Sequence, residues 1–220
     1  MATATLVEST PVGSTMKTLT FDRAVESYTT PGQYLVVTLG EHKPGYFAIA
    51  SSPGEPITLL AKEGGETADA LMALEPGAQV DLSEAQGKGF GLADLGEREL
   101  VILVNGSGMS AIRPVVAAEL ASGLARPVHV YLGVRHHGDV AFAEDLESWT
   151  GAGVAVHVCL SKPHDGWQGR TGYVQHAARE DGLVHENTAV VLCGVRDMAT
   201  EAKEMMDVLY SLVDAPHEAL

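Results

Sequence analysis

Gly106, Gly108 and Ala111 stand at the spacing of a G-x-G-x-x-G/A turn, directly after the apolar run Leu100–Val104 and directly before a helical pattern. Residues of these types do one kind of chemistry. They aim backbone N–H groups and the start of a helix at a pyrophosphate, and the missing Cβ atoms let the anion approach. The same residues also suit a tight strand-to-helix turn with no ligand, so their context decides. Further on, Cys193 ends a second apolar run, Ala189–Leu192, immediately before Gly194. A cysteine so placed is either a group beside a ligand or a small apolar core residue. Cys159 lies inside an apolar run and reads as core. No C-x-x-C and no cluster with metal-ligand spacing occurs, so neither zinc nor an iron–sulfur cluster is indicated. The pair His136-His137 falls in an apparent loop and reads as solvated.

The elements that must carry these residues fall into two textures. Residues 1–96 read as short strands: Ala4–Glu8, Met16–Phe21, Tyr34–Leu39, Phe47–Ala50, Ile57–Ala61 and Gln79–Asp81. Turn residues such as Pro31-Gly32, Pro53-Gly54 and Pro76-Gly77 separate them, and one short helix, Glu66–Leu74, interrupts. Short strands at near-regular spacing predict a small antiparallel barrel. Residues 97–220 alternate instead. Strands are predicted at Leu100–Val104, Val128–Gly133, Val154–Leu160 and Ala189–Cys193, with helices at Ser110–Ser122, Val140–Trp149, Val174–Arg179 and Met198–Val213. Such alternation predicts an α/β domain built on a parallel sheet, and ligands of such sheets bind beyond the C-terminal strand ends. Gly106–Ser110, Gly133–Arg135, Leu160–Lys162 and Gly194–Met198 are thereby expected along one edge. The boundary falls near Gly91–Arg98, giving two domains, 1–96 and 97–220.

Composition narrows the partners. With 14 Lys and Arg against 29 Asp and Glu, the formal net charge is −15. That charge repels nucleic acid, anionic membrane surfaces and acidic proteins. No run reaches the length of a membrane span, and the N-terminus lacks the charged and apolar regions of a signal peptide. Two cysteines make no disulfide framework. The expectation is a cytoplasmic protein.

A barrel followed by a nucleotide-type α/β half resembles the ferredoxin–NADP reductase superfamily. The resemblance covers nearly the whole chain, with the motifs in the family's order. Pro31-Gly-Gln-Tyr34 is similar to the family's P-G-Q-[FY] strand start. Tyr46-Phe-Ala-Ile-Ala-Ser-Ser-Pro53 resembles its flavin strand. Gly65-Glu-Thr67 begins the short helix that receives the flavin pyrophosphate in relatives, and Gly87-Lys-Gly-Phe90 resembles the turn closing the first domain. Gly106-Ser-Gly-Met-Ser-Ala-Ile-Arg113 and Cys193-Gly-Val-Arg-Asp-Met198 are similar to the two nicotinamide-nucleotide segments. The phrases G-Y-F-A-I-A-S-S-P and G-K-G-F are most similar to a ferredoxin-reductase-like branch known from plant chloroplasts and bacteria.

The resemblance implies an oxidoreductase that moves a hydride between NAD(P)H and FAD and hands electrons to a further acceptor. It implies Phe47 as a ring wall, with Ala48, Ile49 and Ser51 on the same strand, and Gly65, Glu66 and Thr67 toward the flavin phosphates. Gly106, Ser107, Gly108 and Ser110 would cradle the nicotinamide nucleotide, with Arg135, Gly194 and Met198 on the same edge and Cys193 beside the nicotinamide. Ser161-Lys162 stands where relatives that use the phosphorylated cofactor place a Ser-Arg pair, which favours NADPH. Asp165–Tyr173 resembles a W-x-G-x-x-G-Y loop, whose Arg170 either reaches a phosphate or lies free on the surface.

Two departures stand out. The family's R-x-Y-S reads Gly45-Tyr46-Phe47-Ala48 here, so the arginine, the tyrosine hydroxyl and the serine are all absent. Relatives end in a fifth strand, often with a terminal aromatic over the flavin, whereas this chain ends at Pro216–Leu220 where that strand would begin. The site is then either more open or completed by a partner. Acidic ferredoxin is an unfavourable acceptor at this net charge. The alternative reading is a flavin-free nucleotide-binding module, or an accessory electron-transfer subunit with a degenerate flavin site.

Overall fold

The computed structural model describes residues 1–183 and 185–207. The chain divides into two compact units. One comprises Met1–Gly91 with Ser110–Ala118, and the other comprises Leu92–Met109 and the described residues from Glu119 onward.

The first unit is an antiparallel sheet of six strands: β1 (Ala2–Val12), β2 (Met16–Phe21), β3 (Tyr34–Thr38), β4 (Gly45–Ala48), β5 (Thr58–Lys62) and β6 (Gln79–Leu82). Their order is β4-β3-β6-β1-β2-β5. A bridge between Ile49 and Leu59 joins the two ends of that order, closing the sheet into a barrel. β1 is long because it serves two partners. Ala2–Thr5 pairs with β6 and Leu6–Val12 with β2, with a break in register between Leu6 and Glu8. Alternate residues then turn inward, so that Leu6, Leu19, Phe21, Leu35, Val37, Ile57, Leu59 and Leu82 fill the interior. Helix α1 (Glu66–Met72) follows β5, and Leu71 anchors it in the same core.

Two segments far apart in sequence interlock in this unit. The Gln33 side chain accepts from the N–H groups of Thr29 and Thr30 and donates to the Gly87 carbonyl at 3.0 Å. Phe90 N–H donates to the Pro31 carbonyl at 2.8 Å, and the Phe90 ring lies so close over Gly32 that any Cβ there would overlap it. The P-G-Q and G-K-G-F segments are therefore one structural clasp.

The second unit is a parallel sheet of β7 (Glu99–Asn105), β8 (Val128–Val134), β9 (Ala155–Leu160), the two-residue β10 (Arg170–Thr171) and β11 (Thr188–Cys193). Their order is β10-β9-β8-β7-β11. β7 has both neighbours, and Leu100–Val104 are buried on both faces, which explains its unbroken apolar run. The helices are α2 (Met109–Ala121), α3 (Ala143–Gly151), α4 (Val174–Glu180) and α5 (Arg196–Asp207). α3 starts three residues later than its apolar pattern predicts, because Phe142 takes a left-handed conformation (φ 56°) and breaks the turn before it. The end of the helix predicted to Val213, and the C-terminal segment Pro216–Leu220, lie outside the described residues.

A polar tie fixes the edge of this sheet. Tyr131 on β8 is fully buried up to its hydroxyl, which donates to Asp181 at 2.5 Å. Asp181 follows α4 and pairs with Arg170 of β10 at 2.7 Å. The Tyr131 hydroxyl first, and Arg170 second, hold the Asp181 carboxyl below its ordinary range. A depressed carboxyl stabilises the fold above its unfolded pKa and ceases to do so as pH falls through the lower folded value. Tyr131→Phe is expected to cost about 1 kcal/mol at neutral pH, a partly exposed partner being discounted for solvent screening. In urea titrations across pH, that deficit disappears once Asp181 is protonated. A deficit that persists into strong acid would assign the loss to packing.

Candidate functional site

The strongest site geometry lies at the C-terminal edge of the parallel sheet. After β7 the chain makes one tight turn, Gly106–Gly108, before α2 begins. Gly106 has φ 49°, a left-handed conformation that glycine adopts without cost. Gly108 faces the end of β11. A methyl on it would stand 2.8 Å from the Cys193 carbonyl oxygen, 3.0 Å from its carbon and 3.2 Å from its Sγ. The turn is seated directly on the cysteine, which only glycine permits.

Asn105 locks the opposite side. Its side-chain oxygen accepts from the Val195 N–H at 3.0 Å, and a Cβ on Gly194 would overlap that amide. Met198 packs under Gly194, its methyl standing 3.0 Å from the same imagined Cβ. Gly108, Cys193, Gly194 and Met198, which the sequence singles out separately, are thus brought together. Asn105 is a residue of this edge that sequence reading passes over, taking it only as the end of a strand. Its clue was type: a short amide at the last position of a strand is suited to capturing a neighbouring loop's N–H.

Cys193 is 4% exposed, and burial pushes its thiol up to about 11. It is therefore a neutral thiol at neutral pH, not a thiolate nucleophile. Iodoacetamide near pH 8 is expected to leave Cys193 unmodified in the native protein and to alkylate it after unfolding. Peptide mass spectrometry reads both states, and rapid native labelling would refute the buried setting. Cys159 is fully buried in the core, as its sequence suggests.

On the same edge, Ser161 N–H donates to the Val134 carbonyl at 3.0 Å and Lys162 N–H to the Arg135 carbonyl at 2.9 Å. These bonds set Arg135 and Lys162, both exposed, on adjacent strand ends. Ser107 belongs to the tight turn, and Ser110 is buried in the first turn of α2. Arg170 is not free on a surface loop but held by Asp181. Trp167 donates from its indole to the Arg170 carbonyl and packs within the same loop, while Trp149 is buried on α3.

The flavin-strand residues of the first unit are arranged differently. Phe47 is half-buried at the margin of the barrel core, and Ala48 lies beside it at 8% exposure. Ile49 faces the interior. Ser51 is internal too, its hydroxyl accepting from Thr58 N–H and its carbonyl from the Tyr28 hydroxyl. Gly65 precedes α1, and Thr67 is buried with its hydroxyl bonded to the Lys43 carbonyl. Glu66 accepts from His42 Nδ1 at 3.3 Å and from Lys43 N–H at 3.4 Å. A flavin ring fits this surface: Phe47 offers an aromatic face and Ala48 offers no bulk. Among the described residues, no group of three or more His, Cys, Asp or Glu is placed to hold a metal, and no helix is long and apolar enough to cross a membrane.

Comparison with known proteins bears on the fold and the family. The family model "Oxidoreductase NAD-binding domain" matches residues 102–204. The chain is 31% identical over 186 residues to the NAD(P)H-flavin reductase of Vibrio harveyi, covering 79% of this chain and 78% of that protein. It is 30% identical over 200 residues to the fruit protein pKIWI502 of Actinidia deliciosa, covering 83% of this chain; it spans 63% of that relative's length. Among solved structures, a ferredoxin NADP+ reductase from Neisseria gonorrhoeae with bound FAD and NADP superimposes with a TM-score of 0.83 at 15% identity, covering 98% of this chain and 94% of that one. The paired antiparallel and parallel sheets are the two-domain fold of those reductases. The chain belongs to the ferredoxin–NADP reductase superfamily of flavin- and NAD(P)-binding oxidoreductases.

Proposed function

We propose that this chain oxidises NAD(P)H by hydride transfer to a flavin. The balance is one hydride from the nicotinamide and one proton from solvent, converting NAD(P)H and oxidised flavin to NAD(P)+ and dihydroflavin. The observation that carries this reading is the seating of the Gly106–Gly108 turn on Cys193. A bound flavin supplies the hydride acceptor and a route for the electrons to a second acceptor. The chain's own residues supply placement. The Gly106–Gly108 N–H groups and the start of α2 receive the nucleotide phosphates. Asn105 holds the Cys193–Met198 segment against that turn. Cys193, neutral and apolar, offers a flat contact for a nicotinamide ring, so its role is alignment rather than attack.

Functionally, residues 1–96 form the flavin half and residues 97–220 the nicotinamide half. Arg135 and Lys162 favour NADPH over NADH, because two cations on adjacent strand ends suit a 2′-phosphate in a chain otherwise strongly acidic. The net charge of −15 directs the reduced flavin toward neutral or basic acceptors rather than acidic ferredoxin. The two unpaired cysteines support a reducing compartment, the cytoplasm.

The test is anaerobic mixing of the protein with flavin and either NADPH or NADH. Bleaching of the flavin's visible bands, faster with NADPH, supports the reading, and replacing Arg135 and Lys162 together by alanine should erase the preference. No bleaching with either nucleotide would sink it.

A further inference from the structure

Resting on that reading, we infer that Arg113 is the coupling residue of this chain. It links the start of α2, which receives the nucleotide phosphates, to the chain just past the flavin strand, so that nicotinamide nucleotide and flavin each tighten the binding of the other.

The first support is the course of α2. Met109, its first residue, counts with the second unit, and Ser110–Ala118 count with the first. One helix is therefore shared by the half that ends in the Gly106–Gly108 turn and the half that carries the flavin strand. Arg113 is the fifth residue of that helix, about 6 Å along its axis from Met109. Met109, Ala111, Ile112, Val115 and Val116 are all buried, so these turns are packed closely and shift as a body. A displacement at the nucleotide turn is carried to Arg113.

The second support is what Arg113 holds. Its half-buried guanidinium donates to the Ala50 carbonyl at 3.1 Å. Ala50 lies two residues past β4 and is fully buried. The pairing of this stretch with β5 narrows to the single Ile49–Leu59 bridge, after which the Ala50 N–H donates to the Thr58 carbonyl at 2.8 Å. The Ser51 carbonyl accepts from the Tyr28 hydroxyl at 2.9 Å. Residues 48–51 are thus fixed by the barrel and, at Ala50, by a charged donor from α2. A charge-assisted bond is stronger than a neutral one, and the planar guanidinium holds its acceptor in a defined direction.

Coupling follows from these two facts. A nucleotide seated on Gly106–Gly108 fixes the start of α2 and with it Arg113. Residues 48–51 then have less freedom left to lose when a flavin binds, which raises its affinity without a new contact. Linkage makes the effect reciprocal, so a flavin raises the affinity for the nucleotide by the same factor.

The experiment uses the purified full chain stripped of flavin, with NADP+ as the nucleotide so that no hydride moves. FAD is titrated by flavin fluorescence with and without saturating NADP+, and NADP+ is titrated by calorimetry with and without FAD. The expected result is a gain of about fivefold in each direction, the two factors agreeing. Arg113→Ala should bring both factors to within about 1.5-fold of unity, whereas Arg113→Lys, which keeps one charged donor, should retain part of the gain. In the parent chain, before FAD is added, NADP+ should slow hydrogen exchange at the Ala50 N–H, and Arg113→Ala should lose that slowing. Two outcomes overturn the inference and leave the hydride-transfer reading intact. One is a parent chain in which neither ligand changes the affinity of the other. The other is an Arg113→Ala protein, folded by its thermal melt, that keeps the fivefold gain. Should Arg113→Ala fail to fold, the parent's hydrogen exchange decides, and exchange at Ala50 unaltered by NADP+ overturns the inference. Failure of either FAD or NADP+ to bind removes the functional reading itself, and the inference with it.

Discussion

Gly108→Ala is expected to lower kcat/KM for NADPH about a hundredfold while leaving riboflavin binding unchanged. The added methyl would meet the Cys193 carbonyl oxygen at 2.8 Å and its carbon at 3.0 Å. These are backbone atoms at the end of a strand paired with β7 along its length, so they cannot rotate aside. The turn must lift instead, carrying its N–H groups away from the position they hold over β11. A misplacement approaching 1 Å at a phosphate cradle costs on the order of two powers of ten in rate. The accompanying loss of stability is that of an overpacked contact, about 1–3 kcal/mol. Adding Cys193→Ala removes the sulfur but not the carbonyl, so the double variant should remain impaired. Steady-state kinetics beside a thermal melt separates the two effects. A folded Gly108→Ala protein with kcat/KM within about threefold of the parent would show that the turn does not hold the nucleotide.

The largest loss of stability is expected from Arg126→Ala. Glu119, near the end of α2, is 3% exposed, and Arg126 Nε stands 3.1 Å from its carboxylate. Arg126 also donates to the Leu92 carbonyl at 3.2 Å. Removing the guanidinium leaves a buried carboxylate with no opposite charge, which costs about 3–5 kcal/mol, whereas replacing both members by neutral side chains of similar volume costs far less. Urea denaturation of Arg126→Ala should show that deficit, and Glu119→Gln with Arg126→Met should recover most of it. Equal losses in the two variants would mean that shape, not charge, sets the contribution of the pair.

The sequence patterns located nearly all the elements. Leu100–Val104 could be read as a buried strand because β7 has a neighbour on each side, and Met16–Phe21 because its alternation matches a half-buried face. The end points were less legible. Val140–Phe142 carries a helical pattern, yet Phe142 sits in a left-handed conformation that periodicity does not report. β10 has two residues and exists only because β9 offers it an edge, so no local pattern marks it. At the site, glycines and Cys193 were visible as types and spacing, but their mutual contact was not. Asn105 stayed hidden because its partner, Val195, is 90 positions away and contributes only a backbone N–H. In the same way, Gly45 reads in sequence as a missing arginine, and only the fold shows that Phe47 and Thr67 occupy the space.

The clasp between Gln33 and Gly87, with Phe90 over Gly32, bears on how such proteins are found in genomes. Both of its segments are hallmarks by which a reader of sequences assigns redox activity. Yet their hydrogen bonds are made to one another, tying Gln33 to Gly87 and Phe90 to Pro31 within the first unit. A descendant that ceased to transfer electrons would still need them to fold, and would keep these signatures while its catalytic residues drifted. Searches keyed to the clasp therefore enumerate barrels, whatever chemistry the rest of the chain retains.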